Sequence, residues 1–261
     1  MLKLYPVKAE RVGAEFDLVG VIESRAGRRL RDGDLLVVSS KYVAISEGRT
    51  VKLEGVKPSS RAKELAKRFR MDQRLCEVIL RESDAVIGGI PGFILATHDG
   101  LLTPNAGIDK SNIAHGKVVL YPRRPELSAR RIRDALKFDL GVEVAVVICD
   151  SRLMPTRRGT VGVSLAAAGL EAVVDLRGKA DLFGNVLRVT SQAIADDISS
   201  AAQLLMGEAD EATPMVVVRG LDRRLLGDRV YPSVKFSIPI DEDVYLRSLG
   251  YVSFDSEHIH F

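Results

Sequence analysis

The chain has little of what marks the specialised protein classes. Its 261 residues hold two cysteines, Cys76 and Cys149, too few for a disulfide framework and not spaced as metal ligands. Both read as small buried hydrophobes. No apolar run approaches the ~18 residues that a membrane span needs and no signal peptide opens the sequence, so the expectation is a cytoplasmic protein without membrane contact. Neither sign of charge dominates: 38 basic and 35 acidic side chains leave +3, too balanced for a nucleic-acid coat and mildly favourable to an anionic ligand such as a nucleotide. The Gly-x-x-x-x-Gly-Lys-Ser/Thr and Gly-x-Gly-x-x-Gly patterns are missing, as is any Ser-His-Asp arrangement. No repeat, low-complexity tract or linker divides the chain. His98 and His115 are lone histidines, and His258 and His260 fall in the last few residues, where fraying is the default.

What is present is an ordinary globular composition, 46% hydrophobic and 28% charged, in which helices and strands interleave without clean alternation. An α+β class follows, rather than a doubly wound sheet. Strands are expected at Leu2 to Val7, at Leu35 to Ser40 with Lys41 and Ile45 on one face of its continuation, at Val144 to Cys149, at Leu187 to Thr190 and at Met215 to Val218. Asp17 to Ser24 fits either a helix or a strand. Helical spacing runs from Pro58 to Asp84, capped by Ser59 or Ser60 and again by Asp72. It returns from Ser128, read as a cap, to the stop at Gly141, and from about Gln192 to Met206, where Asp196 and Asp197 read as a polar face. Gly88 to Gly92 reads as a loop, and Phe93 to Leu102 as a hairpin. The tail from Tyr231 to Phe261 alternates apolar and polar residues.

The chemistry concentrates where the six apolar residues Val144 to Cys149 meet Asp150 and Ser151. A carboxylate beside a hydroxyl is a hard-ligand pair suited to Mg²⁺ or Mn²⁺, and Arg157 and Arg158 just downstream suit phosphate oxygens. The competing account makes Asp150 a turn cap and the arginines a solvated loop. A second segment, Pro104-Asn105-Ala106-Gly107-Ile108-Asp109-Lys110-Ser111-Asn112, sets another carboxylate among amide and hydroxyl groups.

With Glu47-Gly48-Arg49, Asp175 to Gly178, Asp181 to Gly184, Ala195-Asp196-Asp197, Leu205-Met206-Gly207-Glu208 and Val217 to Leu221 in the same order, these motifs resemble the F420-0:gamma-glutamyl ligase family, which completes the deazaflavin coenzyme F420. The resemblance implies a mixed two-lobed α+β fold, one ligase-like domain over residues 1–261, and a homodimer with its cleft at the interface. It implies GTP and two Mg²⁺ or Mn²⁺ ions per subunit as reactants and cofactors, with F420-0 and L-glutamate as substrates. The implied reaction has GTP phosphorylate the F420-0 carboxylate and the glutamate amine then attack the acyl phosphate. The metal candidates are Asp109, Asp150, Ser151 and Glu208; Ser151 stands where relatives carry threonine. The nucleotide candidates are Ser39, Ser40, Lys41, Asn112 and the loop Gly207-Glu208-Ala209-Asp210-Glu211-Ala212-Thr213-Pro214, with Arg157 and Arg158 on phosphate. Two departures stand out: Ala44-Ile45-Ser46-Glu47-Gly48-Arg49 stands where relatives carry a Ser-Lys pair just before Ala-Glu-Gly-Arg, and Lys8-Ala9-Glu10-Arg11 replaces a Glu-Gly-Leu-Pro segment. They keep two alternatives open, a paralogue acting on another carboxylate-bearing cofactor and a non-catalytic nucleotide-binding protein.

Overall fold

The computed structural model describes residues 1–232, 235–239, 242–248 and 250. His258, His260 and most of the alternating tail lie outside them.

Strand β1 (Lys3–Val7) leads into helix α1 (Leu18–Ala26), which resolves the ambiguity at Asp17: its carboxylate accepts from Gly20 N as an N-cap. Strand β2 (Leu35–Ser39) is followed at once by helix α2 (Ser40–Ser46). The expected strand continuation through Lys41 is therefore a helix, yet Lys41 and Ile45 still share a side, since i and i+4 coincide on either periodicity. After β3 (Thr50–Lys52) come α3 (Ser60–Phe69), capped by Ser59, and α4 (Gln73–Glu82), capped by Asp72. The Gly88-Gly89 stretch is not a loop. It lies on β4 (Ala85–Ile90), which pairs with β5 (Phe93–His98) so closely that a Cβ on Gly89 would sit 2.4 Å from Phe93 O. Glycine here admits a close backbone approach rather than a turn.

Strands β6 (Leu101–Pro104) and β7 (Lys117–Val119) precede α5 (Pro125–Leu140). That helix starts at Pro125, a favourable first position, so Ser128 is no cap and its hydroxyl donates to Glu47 instead. Gly141 ends it in the left-handed conformation at φ 68°. Then come the long hairpin β8 (Ala145–Leu153) and β9 (Thr160–Leu170), short β10 (Val174–Asp175) and β11 (Ser191–Gln192), and α6 (Ile194–Met206). The strand expected at Leu187 to Thr190 is only the irregular leg of the ribbon that β10 and β11 close. Last are β12 (Met215–Arg219), β13 (Leu226–Tyr231) and a short α7 (Val244–Ser248) inside the alternating tail.

The described residues form a mixed α+β fold with seven α-helices. Its main sheet runs β1-β12-β2-β8-β9-β13, antiparallel throughout except for the parallel pair β2 and β8. Both faces are covered. Leu36, Val38, Val146 and Ile148 pack toward Ile22 of α1 and Ile132 and Leu136 of α5, while Leu35, Val37, Val147 and Val216 pack toward Ile198 and Ala202 of α6. This double cover is why the two parallel strands are unbroken apolar runs. Each fully buried Leu, Ile or Val contributes about 1.5–3 kcal/mol from removal of its surface from water. A separate cluster, with Leu75, Ile79, Ile94 and Val118, joins α3, α4 and the β4-β5-β6 sheet.

Candidate functional site

Topology places the site. Ser39 at the end of β2 pairs with Cys149 on β8, so Ser40 and Asp150 leave the core side by side. Val7 at the end of β1 and Val38 both pair with Met215, the first residue of β12, which brings residues 8–12 and the loop 207–214 to the same edge. In open sheets the carboxyl ends of parallel strands are where ligands gather. Here they open on a cavity of about 330 Å³ lined by Lys41, Asp109, Asp150, Ser151, Glu208 and the rest of the 207–214 loop, among others.

Asp150 does not cap a turn, because β8 continues through it to Leu153. Its Oδ1 accepts from Ser40 Oγ at 2.6 Å and its Oδ2 from Tyr121 OH at 2.8 Å. Burial pushes its pKa up despite those two donors, and the nearby Asp109 charge adds to the effect. Tyr121 is itself buried, and burial followed by the Asp150 charge pushes its hydroxyl far up, so it stays a donor. Burial also works against ionisation of Asp109, but the Lys41 ammonium and the Ser111 donors outweigh it and hold that carboxyl below its ordinary value. Lys41 Nζ also reaches Ser111 Oγ at 2.6 Å, and Ser111 N donates to Asp109 at 2.7 Å.

The loop after α6 closes the other wall. Gly207 has φ 73° and ψ −178°, and a Cβ there would lie 2.0 Å from the Glu211 carboxyl carbon, so only glycine fits. Glu208 accepts from Thr160 Oγ1 and Gln203 Nε2, both at 2.6 Å, and Asn112 Nδ2 donates to Ala209 O at 2.7 Å. Asn112 thus ties the Asp109 segment to the loop. Ser39 N donates to Pro214 O, and Ala9 N to Ala212 O.

The structure brings Ser39, Lys41, Asp109, Asn112, Asp150, Ser151 and the whole 207–214 loop to one cavity, with Ser40 buried directly behind Asp150. Arg157 and Arg158 are different. They are exposed on the β8–β9 turn beyond the last paired residues, Leu153 and Thr160, and do not line the cavity. Asp196 and Asp197 also stand apart: Asp196 accepts from Ser164 N at 2.7 Å and Asp197 from Gln192. Glu47 and Arg49 are latches. Glu47 holds Arg123 N and Ser128, and Arg49 holds Glu82 and the Tyr121 carbonyl. Sequence reasoning missed Tyr121, Tyr42, Gln203 and the wall from Ala9 to Val12. Nothing local marks Tyr121, although the altered 8–11 segment pointed to the last of these.

Fold and site together define an α+β protein with a small-molecule cavity walled by carboxylates, hydroxyls and a lysine. Residues 6–220 match the F420-0:Gamma-glutamyl ligase family. A protein of Methanopyrus kandleri named Coenzyme F420:L-glutamate ligase is 41% identical over 226 residues, 86% of this chain and 89% of the relative. One of the same name in Methanothermobacter thermautotrophicus is 41% identical over 213 residues, covering 80% and 84%. A third, in Archaeoglobus fulgidus, is 40% identical over 206 residues, covering 79% and 82%. The chain belongs to the F420-0:gamma-glutamyl ligase family and is an enzyme of the ligase class that forms C–N bonds. Among the described residues no helix is long and apolar enough to cross a membrane.

Proposed function

We propose that this enzyme joins L-glutamate to the carboxylate of coenzyme F420-0, driven by GTP and a divalent cation. The carrying observation is the convergence of Asp109, Asp150, Ser151 and Glu208 on one cavity beside Lys41. In this reading a carboxylate oxygen of F420-0 takes the γ-phosphoryl group as the bond to GDP breaks. The glutamate amine then attacks the acyl carbon, forming the C–N bond as phosphate leaves. Such chemistry asks the protein for positioning and charge neutralisation more than for a nucleophile, and no nucleophile is assigned.

The donor set fits Mg²⁺ or Mn²⁺, since all four candidates offer hard oxygens. Among the described residues no three acidic, histidine or cysteine side chains close into a metal cluster by themselves. In this reading the cation is held by one or two carboxylates together with substrate phosphates, the usual arrangement for Mg²⁺. Asp109 and Asp150 would hold it, with Ser151, and Glu208 would hold a second ion. When bound, such ions neutralise charge on the phosphate oxygens. Lys41 adds a positive charge on the cavity wall, and Ser39, Asn112 and the 207–214 loop would hold the nucleotide.

A homodimer belongs to this reading. It is supported by the β10–β11 ribbon, which carries Leu182 at 100%, Phe183 at 90% and Val189 at 89% exposure. The paralogue with another carboxylate acceptor is favoured by the apolar stretch of wall at Ala9, Val12 and Ile45. Phosphate release measured with F420-0, L-glutamate and either GTP or ATP tests the proposal. Release that needs all three reactants and Mn²⁺ supports it. Release with a different acceptor selects the paralogue, and GTP binding without turnover or metal dependence selects the binding protein.

A further inference from the structure

Three stretches that lie far apart in the chain meet at one residue that none of them contains. Tyr121 is 5% exposed and donates its hydroxyl to Asp150 Oδ2 at 2.8 Å. Gly107 of the Asn105–Asp109 motif packs against its ring, where a Cβ would come within 2.2 Å of two ring carbons. Arg49 of the Glu47–Arg49 motif donates Nε to the Tyr121 carbonyl at 3.0 Å and pairs with Glu82 at 2.5 Å, both carboxylate and guanidinium being mostly covered. The His98 ring packs against the same aromatic ring in a T-shaped arrangement with centroids 5.5 Å apart.

We infer that Tyr121 is the positioning residue of this site, fixing the Asp150 carboxylate in the orientation from which it holds a divalent cation. The inference rests on the proposed ligase reading for the role of Asp150. A free carboxylate rotates about its last torsion and offers four lone-pair positions. With Ser40 on Oδ1 and Tyr121 on Oδ2, rotation is stopped and one position on each oxygen is left for a cation. Outer partners of this kind are worth about ten- to a hundredfold in metal affinity. The two motifs then have a shared physical purpose: Gly107 makes room for the ring and Arg49 anchors its backbone. Among the described residues the hydroxyl's other hydrogen-bond neighbour is Thr103 Oγ1 at 3.4 Å, too long to compete for the proton.

The test is Mn²⁺ binding in the presence of GDP, read by electron paramagnetic resonance, with thermal melting alongside. Tyr121→Phe keeps the ring against Gly107 and His98 and removes only the donor. It is expected to melt near the wild type and to bind Mn²⁺ about ten- to a hundredfold more weakly. Gly107→Ala, which pushes the ring aside but keeps the hydroxyl, should weaken Mn²⁺ binding similarly, whereas Thr103→Val should leave it unchanged. In an Asp150→Asn background, removing the Tyr121 hydroxyl should cause no further loss of Mn²⁺ affinity, and an added loss there would also overturn the inference. Wild-type Mn²⁺ affinity in Tyr121→Phe overturns the inference and leaves the ligase reading standing. A wild-type protein that binds no Mn²⁺ with GDP overturns both.

Discussion

Lys41 Nζ lies 2.5 Å from Asp109 Oδ2, joining the first turn of α2 to the segment before β7 across the mouth of the cavity. An ammonium thus sits beside one of the two carboxylates assigned to the cation. Lys41→Ala is expected to weaken binding of GTP with Mg²⁺ about ten- to a hundredfold, the worth of one charge-assisted contact of roughly 1.5–3 kcal/mol. Lys8→Ala, exposed and outside the cavity wall, should change it little. Calorimetric titration of both variants checks the pair, and unchanged binding in Lys41→Ala would show that the nucleotide is held from elsewhere.

Asp150→Asn should separate stability from function. Its carboxyl has a folded pKa raised mainly by burial, so the ionised form opposes folding above that pKa, and the penalty vanishes below the unfolded value. The amide carries no such penalty, and both Ser40 and Tyr121 hydroxyls rotate to meet it. At neutral pH the variant is expected to melt at or above the wild-type temperature while losing turnover and binding Mn²⁺ more weakly, because a neutral amide is a weaker ligand for a hard cation. Turnover near the wild-type rate would refute the role given to Asp150.

Asp72 gives a pH signature. Its hydrogen bonds to Arg74, side chain first and then backbone, with the Arg74 charge, hold its carboxyl at about 2 against an ordinary 3.8. A depressed pKa stabilises the fold above the unfolded value and loses that contribution as pH falls through the folded one. Asp72→Ala removes the α4 cap and should cost about 1 kcal/mol at pH 7. The gap to wild type in thermal melts should then narrow between about pH 4 and pH 2. A gap that stays constant across that range would assign the loss to packing.

The ribbon between β10 and β11 should govern association. Wild-type protein is expected to sediment as a dimer at micromolar concentration, and Phe183→Asp, a charge placed on a fully presented apolar side chain, should shift it toward monomer without lowering its melting temperature. Dimers that persist in the variant would place the interface elsewhere.

Much of this protein is written locally. The apolar runs of β2 and β8, the caps at Ser59 and Asp72 and the stop at Gly141 follow from chemistry within a few residues, which is why they are legible in the amino-acid order alone. Asp109 and Asp150 stand out for the same reason, as carboxylates beside turn and hydroxyl residues, whereas Glu208 is singled out through the family resemblance; all three line the same cavity. Gly88-Gly89 and Ser128 mislead because the deciding partner is distant: the close approach of β5 in one case, and Glu47 in the other. What the sequence by itself determined was the inventory of elements and of the oxygen-bearing side chains at their ends. Which of them meet was decided by the parallel pairing of β2 with β8 and the antiparallel docking of β12, since strand pairing is set by non-local burial of both sheet faces. That pairing put Ser40 on Asp150, left Arg157 and Arg158 outside, and made Glu47 and Arg49 the latches on the segment that runs from Tyr121 to Ser128.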